Sequence, residues 1–286
     1  MSKPAPRTEH IQVAATLRRL REDAGATRED AAKLLGCSVS KISDLEVGRS
    51  KPKPVELERL LDHYGVQGRD HEELVEFART SRKRRPNSPY TAAVIPADIR
   101  RAVDLQEQAL SSVFYSSELI PGMLQTRPYA EAILGWEDAN RPDEAAKLLD
   151  LRMGRAEVFT RTDRPPLSYW CILGEAALRS GVGGQAVMRE QLAHLIEVNS
   201  TMDNVVLQVL PLGSGVHSFL GITLTWHRFP APAPDMLILD SYGRSIIRDS
   251  PAEVARGAHH LDLTKAKALG RDESTTFLRR VHRELK

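Results

Sequence analysis

Cysteine is almost missing from this chain of 286 residues. Only Cys37 and Cys171 are present, far apart and each in an apolar pattern. That excludes a disulfide framework and a cysteine-ligated zinc site, and fits a reducing compartment in which both are small core hydrophobes. No stretch approaches the ~20 uninterrupted apolar residues of a membrane helix, and the opening MSKPAPRTEH has no apolar segment of the signal-peptide kind, so a cytoplasmic location is expected. No repeat of solenoid length is visible either. His217, His227, His259 and His260 are scattered, with no carboxylate at metal-ligand spacing, and His259-His260 reads as a surface pair on the final helix. Gly181, Gly183 and Gly184 lack the Lys-Ser/Thr of a phosphate loop and the spacing of a dinucleotide site, so they read as a tight turn before a helix. Adjacency of His217 and Ser218 does not make a nucleophile pair. No cofactor, metal or catalytic residue is expected, and the chain is read as a non-enzyme.

What is present is ordinary for a folded chain: 41% hydrophobic and 27% charged residues, in a length that suits two domains. The net charge of +2 hides an asymmetry. Residues 1–85 carry 18 Lys and Arg against 14 Asp and Glu, an excess of +4, and the remainder carries 22 against 24, or −2. Before Tyr90 the aromatics are Tyr64 and Phe77 alone. Such a shift describes a small basic module joined to a larger, differently built one. The junction is the run Arg79, Arg82, Lys83, Arg84 and Arg85, followed by Pro86-Asn87-Ser88-Pro89, which cannot continue a helix. The division expected is 1–80, a linker over 81–97, and 98–286.

Everything before the linker reads helical. Helix one, 9–24, has an apolar and a basic face, from Ile11, Ala14, Ala15, Leu17, Arg18, Leu20 and Arg21, and Gly25 ends it. Thr27 with Asp30 makes a capping box for a second helix that stops at Gly36. Ser38 caps a third, 38–47, carrying Val39, Ile42 and Leu45. A fourth covers 55–64, and a fifth runs over 70–82. After the linker, helices are expected at 99–112, 128–135, 142–160, 175–180, 184–199 and 251–269. Between them LSYWCIL (167–173), VVLQVL (205–210), GITLTWHRF (221–229) and MLIL (236–239) read as strands. Tyr169, Trp170, Phe219 and Trp226 read as one aromatic core cluster. The fold class is therefore multidomain: an all-α five-helix domain, then an α+β domain with a mostly antiparallel sheet.

The strongest local signal is TREDAAKLLGCSVSKISDLEVG, residues 27–48. Two short helices meet at a Gly36-Cys37 turn, small residues at Ala32 and Gly36 permit close approach, and Leu35, Ile42 and Leu45 fill the wedge, as a helix-turn-helix requires. The Leu-Gly turn and the Ser-x-x-Ile-x-x-Leu-Glu-x-Gly ending resemble the Cro and phage-repressor type, also called the xenobiotic-response-element type, over about residues 11–64. Arg28 stands where that family usually has a phosphate-holding Gln. The resemblance implies double-stranded DNA as partner, with the third helix in the major groove. Val39, Ser40, Ser43 and Asp44 would then face bases, and Thr27, Arg28, Ser38, Lys41, Arg49 and Lys51 would lie along phosphates. Arg82, Lys83, Arg84 and Arg85 are expected to add an auxiliary phosphate contact.

The larger part has its own motifs: Ile-Pro-Gly-Met-Leu-Gln-Thr-x-x-Tyr-Ala within 115–134, an Arg/Phe-Thr pattern over 152–164, Glu175-Ala-Ala-Leu-Arg, and 205–217 with its Pro and Gly residues. These resemble the WhiJ-like group of actinobacterial regulators. The combined expectation is a sequence-specific transcriptional regulator, nucleoid-associated when bound and homodimeric, whose second domain dimerises and senses a small-molecule effector or a small protein partner. Two alternatives stay open. One is an antitoxin-like autoregulatory protein; the other is a catalytic or cofactor-binding module tethered to DNA.

Overall fold

A computed structural model describes residues 8–80, 97–137, 142–231, 233–241 and 244–285. The first part is α1 (Thr8–Asp23), α2 (Arg28–Leu35), α3 (Val39–Glu46), α4 (Pro54–His63) and α5 (Gly68–Thr80). The expected start signals operate: Thr27 and Asp30 form the capping box of α2, Ser38 caps α3, and Pro54 opens α4 with its preset φ. Gly36 ends α2 at φ 62°, a left-handed turn that a side chain resists. Val13, Leu17, Ala31, Ile42, Leu45, Leu60 and Leu61 form the core. Residues 81–96, nearly all of the expected linker, lie outside the described residues, and Ala97 already opens α6 (Ala97–Gln108).

The expected basic face of α1 is instead a junction. Residues 12–17 are buried all round. Val13 and Leu17 face the helical bundle, whereas Ala15 belongs to the core of the larger part, together with Leu105 and Ala109 at the end of α6, a helix that α1 touches. Arg18 pairs with Asp249, far along the chain.

The larger part continues with β1 (Ser111–Ser116), α7 (Arg127–Glu137), α8 (Pro142–Gly154), β2 (Ser168–Gly174), α9 (Glu175–Arg179), α10 (Gln185–Thr201), β3 (Val205–Leu210), β4 (Thr223–Arg228), β5 (Met236–Ser241), β6 (Arg244–Arg248), α11 (Pro251–Lys267) and α12 (Arg271–Glu284). It is an α+β domain with a mixed, mostly antiparallel sheet of six strands in the order β3-β2-β1-β4-β5-β6. The pairs β1–β2 and β2–β3 are parallel; β1–β4, β4–β5 and β5–β6 are antiparallel. Helices α10 and α12 pack together on β3, and α11 lies on β4 and β5. There Gly257 touches Leu237 so closely that any Cβ would strike it.

Several expectations are corrected. The helix expected over 99–112 ends at Gln108, and Ser111 onward is a central strand, because β1 finds partners on both sides that no local pattern reveals. The short strand β6 and the helix α12, whose few apolar residues stand among polar ones, were not expected. Hence α11 is not the final helix. On it His259 is exposed, but His260 is half-buried, its ring 6.3 Å from that of Phe219. The aromatic cluster divides across the sheet: Tyr169 packs with Phe159 on one face, and Trp170, Phe219 and Trp226 pack on the other. Cys171 is fully buried, while Cys37 is half-buried against the helical core.

On β1 and β4 the cross-strand partners Ser112 and His227 are both buried, with Oγ and Nδ1 2.7 Å apart. Burial first, and then the positive charge of Arg155, push the imidazole down to about 3. An unfolded chain would bind this proton at the ordinary histidine pKa of about 6.5, so stability falls as pH drops below that value and continues to fall toward 3. The contribution is about 1.4 kcal/mol per pH unit in that window. Urea midpoints between pH 7 and 4 should therefore decline less steeply for His227→Gln than for the unsubstituted protein.

Candidate nucleic-acid interface

Helix α3 has two faces. Ile42, Leu45 and Glu46 are buried, and Val39, Ser40, Ser43 and Asp44 share the outward side at helical spacing. Val39 is 39% exposed, Ser40 is exposed, and Ser43 and Asp44 are half-exposed. Val47, just past the helix and 42% exposed, extends the same stripe. Sequence reasoning missed it, although its spacing of four from Ser43 was available. All four expected base-facing residues thus fall on one accessible surface.

The expected phosphate residues are less alike. Thr27 and Ser38 spend their hydroxyl oxygens as caps, accepting from the backbone N–H of Asp30 (3.1 Å) and of Lys41 (3.2 Å). Thr27 also donates through its backbone N–H and its hydroxyl to the Asp30 carboxylate, which lowers that carboxyl's pKa. Arg28 Nε donates to Glu46 Oε2 at 2.8 Å, leaving the side chain 40% exposed. Lys41 Nζ donates to Glu56, and this bond raises the ammonium's pKa. Arg49 is 70% exposed, with Nη1 3.5 Å from Asp44 Oδ1, and Lys51 is exposed nearby. The backbone N–H groups of Arg49 and Ser50 donate to the Asp44 carbonyl, turning this basic segment back beside α3. Arg82, Lys83, Arg84 and Arg85 lie outside the described residues.

The residue that sets the geometry is Glu46, which the sequence showed only as one letter of the Leu-Glu-x-Gly ending. Its carboxylate is 3% exposed. Arg21 Nε of α1 donates to Oε1 at 2.6 Å and Arg21 Nη2 to Oε2 at 3.2 Å, while Arg28 of α2 reaches Oε2. Three helices are thereby tied at one buried point. Arg21 Nη1 also donates to the Ala26 carbonyl at 3.0 Å, fixing the turn before α2. The hydrogen bond to Glu46 raises the Arg21 pKa, and burial followed by the Glu46 charge pushes the Tyr64 hydroxyl up to about 12. A two-point arginine–carboxylate bond fixes orientation as well as distance.

Removing one member of a buried pair strands the other charge. Glu46→Ala should lower stability by about 3 kcal/mol, mostly through Arg21, since the more exposed Arg28 is better solvated. Equilibrium urea unfolding followed by circular dichroism measures this. Glu46→Gln should fall between the two, because its amide oxygen accepts one of the bonds.

Two family models match the chain. A Helix-turn-helix domain matches residues 12–74, covering α2 and α3 with the helices around them. A Domain of unknown function (DUF5753) matches residues 99–280, from α6 into α12. No curated protein and no solved structure matches the chain. Because that second match spans more than half of the 286 residues, the chain belongs to the DUF5753 family, with a helix-turn-helix domain in front.

Proposed function

We propose that this protein is a sequence-specific DNA-binding transcriptional regulator of the Cro and phage-repressor type, whose larger part is WhiJ-like and acts by binding and not by catalysis. The observation that carries the reading is the outward stripe of α3: small and polar side chains at Val39, Ser40, Ser43 and Asp44, held by a buried clamp on the opposite face. Such a helix suits a major groove, where Ser is a versatile partner, Asp accepts from a cytosine amino group and Val meets a thymine methyl. Arg49 and Lys51 flank it as phosphate contacts, and Arg28 keeps its exposed portion for the same use. One such helix reads only a few base pairs, so useful affinity at physiological salt calls for a homodimer on paired half-sites, assembled through the larger part, which also senses the signal.

The test begins by selecting bound fragments from genomic DNA with the full chain. On the selected site Ser40→Ala and Asp44→Ala should each cost about 1–3 kcal/mol of binding and leave affinity for unrelated duplex nearly unchanged. Equal losses on both would remove α3 from base reading. Arg49→Ala and Lys51→Ala should weaken both kinds of DNA, each reducing the slope of log affinity against log salt by about 0.9. Arg28 is the poorer probe of phosphate contact, because its removal also disturbs Glu46.

A further inference from the structure

Beneath the sheet of the larger part, two stretches of unassigned use converge. One is the Pro121-Gly122 turn; the other is the end of α8 with the short 3-10 helix Arg155–Phe159 that follows it. A Cβ on Gly122 would lie 3.4 Å from Arg152 Cγ and 3.5 Å from Arg155 Nη1, so the bare turn is flanked by two cationic side chains. Arg152 Nη1 donates to Gln125 Oε1 at 3.2 Å, and Gln125 Nε2 donates to the Ile120 carbonyl at 2.7 Å. Arg155 Nη2 donates to Gln106 Oε1, on α6.

Two donors here, on Gln106 and Arg155, have no acceptor. Gln106 is 3% exposed, and its Nε2 has no hydrogen-bond partner. Arg155 Nε, shut off from solvent, has none either. Among the described residues no carboxylate stands within ion-pair distance of Arg155. Asp240 Oδ1 accepts from Ser245 Oγ on the sheet edge, and Glu107 acts on Arg155 only from a distance. Burial, and then the neighbouring Arg152 charge, hold the Arg155 pKa below the ordinary arginine value, offset in part by Tyr169, Asp240 and Glu107. A half-buried guanidinium whose Nε is shut off from solvent is costly unless an anion meets it, and buried donors are satisfied as a rule. His227, neutral and buried, supplies no negative charge.

We infer that Arg155 and Gln106, with Arg152 alongside, form a binding site for the oxyanion of a small molecule, a carboxylate or a phosphate, which accepts from Arg155 Nε and Gln106 Nε2. Both groups are donors joined through one hydrogen bond, Arg155 Nη2 to Gln106 Oε1, and the bonds a guanidinium makes to an oxyanion are of the strong, charge-assisted kind. The site deepens the signal-sensing part of the function proposed above. Its test reads anion binding and not DNA binding, so the two readings can fail separately.

The experiment is thermal unfolding of the full chain, at fixed pH and ionic strength, against rising acetate, benzoate or succinate in one arm and inorganic phosphate in the other, with chloride as the reference. One arm should raise Tm saturably, by roughly 5 °C at a hundredfold excess over Kd, and which arm does so identifies the oxyanion. In Arg155→Met that shift should vanish. Gln106→Glu places a carboxylate of the chain's own against Arg155, so it should raise Tm without added anion and abolish the response. The inference is overturned if neither arm exceeds chloride, or if Arg155→Met responds as the unsubstituted protein does. Should Arg155→Met fail to fold, Gln106→Glu decides: a lost response supports the site, and a full response overturns it.

Discussion

Helix α1 belongs to two cores at once, and the architecture follows from that sharing. A helix normally buries one apolar stripe and solvates the rest. Here Val13 and Leu17 close the helical bundle while Ala15, on another side of the same 16-residue helix, fills a position in the core of the sheet domain. Small side chains make this possible: at Ala14 and Ala15 the neighbouring helix can approach without displacing anything. The polar positions follow suit, Arg21 going inward to Glu46 and Arg18 across to Asp249. A face that reads as basic and solvated in isolation is thus consumed by pairing.

The same pairing shapes the electrostatics of the candidate DNA surface. Of the cations that composition places in the first part, Arg18, Arg21, Arg28 and Lys41 each meet a carboxylate. Their charge is largely neutralised at short range, and at physiological salt little of it extends past a Debye length of ~8 Å. Asp249 lies outside residues 1–85, so its pairing with Arg18 offsets one unit of their +4 excess, while the pairs made within the segment leave that excess unchanged and make the field local. Arg49, 70% exposed and 3.5 Å from Asp44, and the exposed Lys51 stand beside the recognition stripe.

Legibility in the sequence tracked the range of the interactions. Helices α1 to α4 were readable because their caps and stops, such as Thr27 with Asp30 and Gly36, act within four residues. The outward stripe of α3 was readable for the same reason. Strand β1 was not, since SSVFYS follows a helical run without a turn residue and owes its extended form to β2 and β4 on either side. Helix α12 was hidden by polarity: only Phe277, Leu278 and Val281 mark its inner face, and its buried Ser274 and Thr275 are satisfied by groups elsewhere, Ser274 Oγ accepting from the Val209 N–H and Thr275 Oγ1 from Asn199. Glu46 and Arg155 were invisible as hubs because each partner set is assembled from distant segments.

Helix α6 connects the two unusual features of the molecule. Gln106 turns toward Arg155, and Leu105 and Ala109 turn into the core that Ala15 shares. Residues adjacent on a helix cannot move independently, and a close-packed interior leaves no slack to absorb a shift of one against the other. Helix α6 touches α1, whose Arg21 anchors Glu46 at the end of α3, so contact is continuous from Gln106 to Glu46. The path from Arg155 to the outward stripe runs through two helices and one carboxylate. Any preference of a bound anion for one pose of α6 is by that route a preference for one pose of α1, and its size equals the difference in the anion's affinity for the two poses.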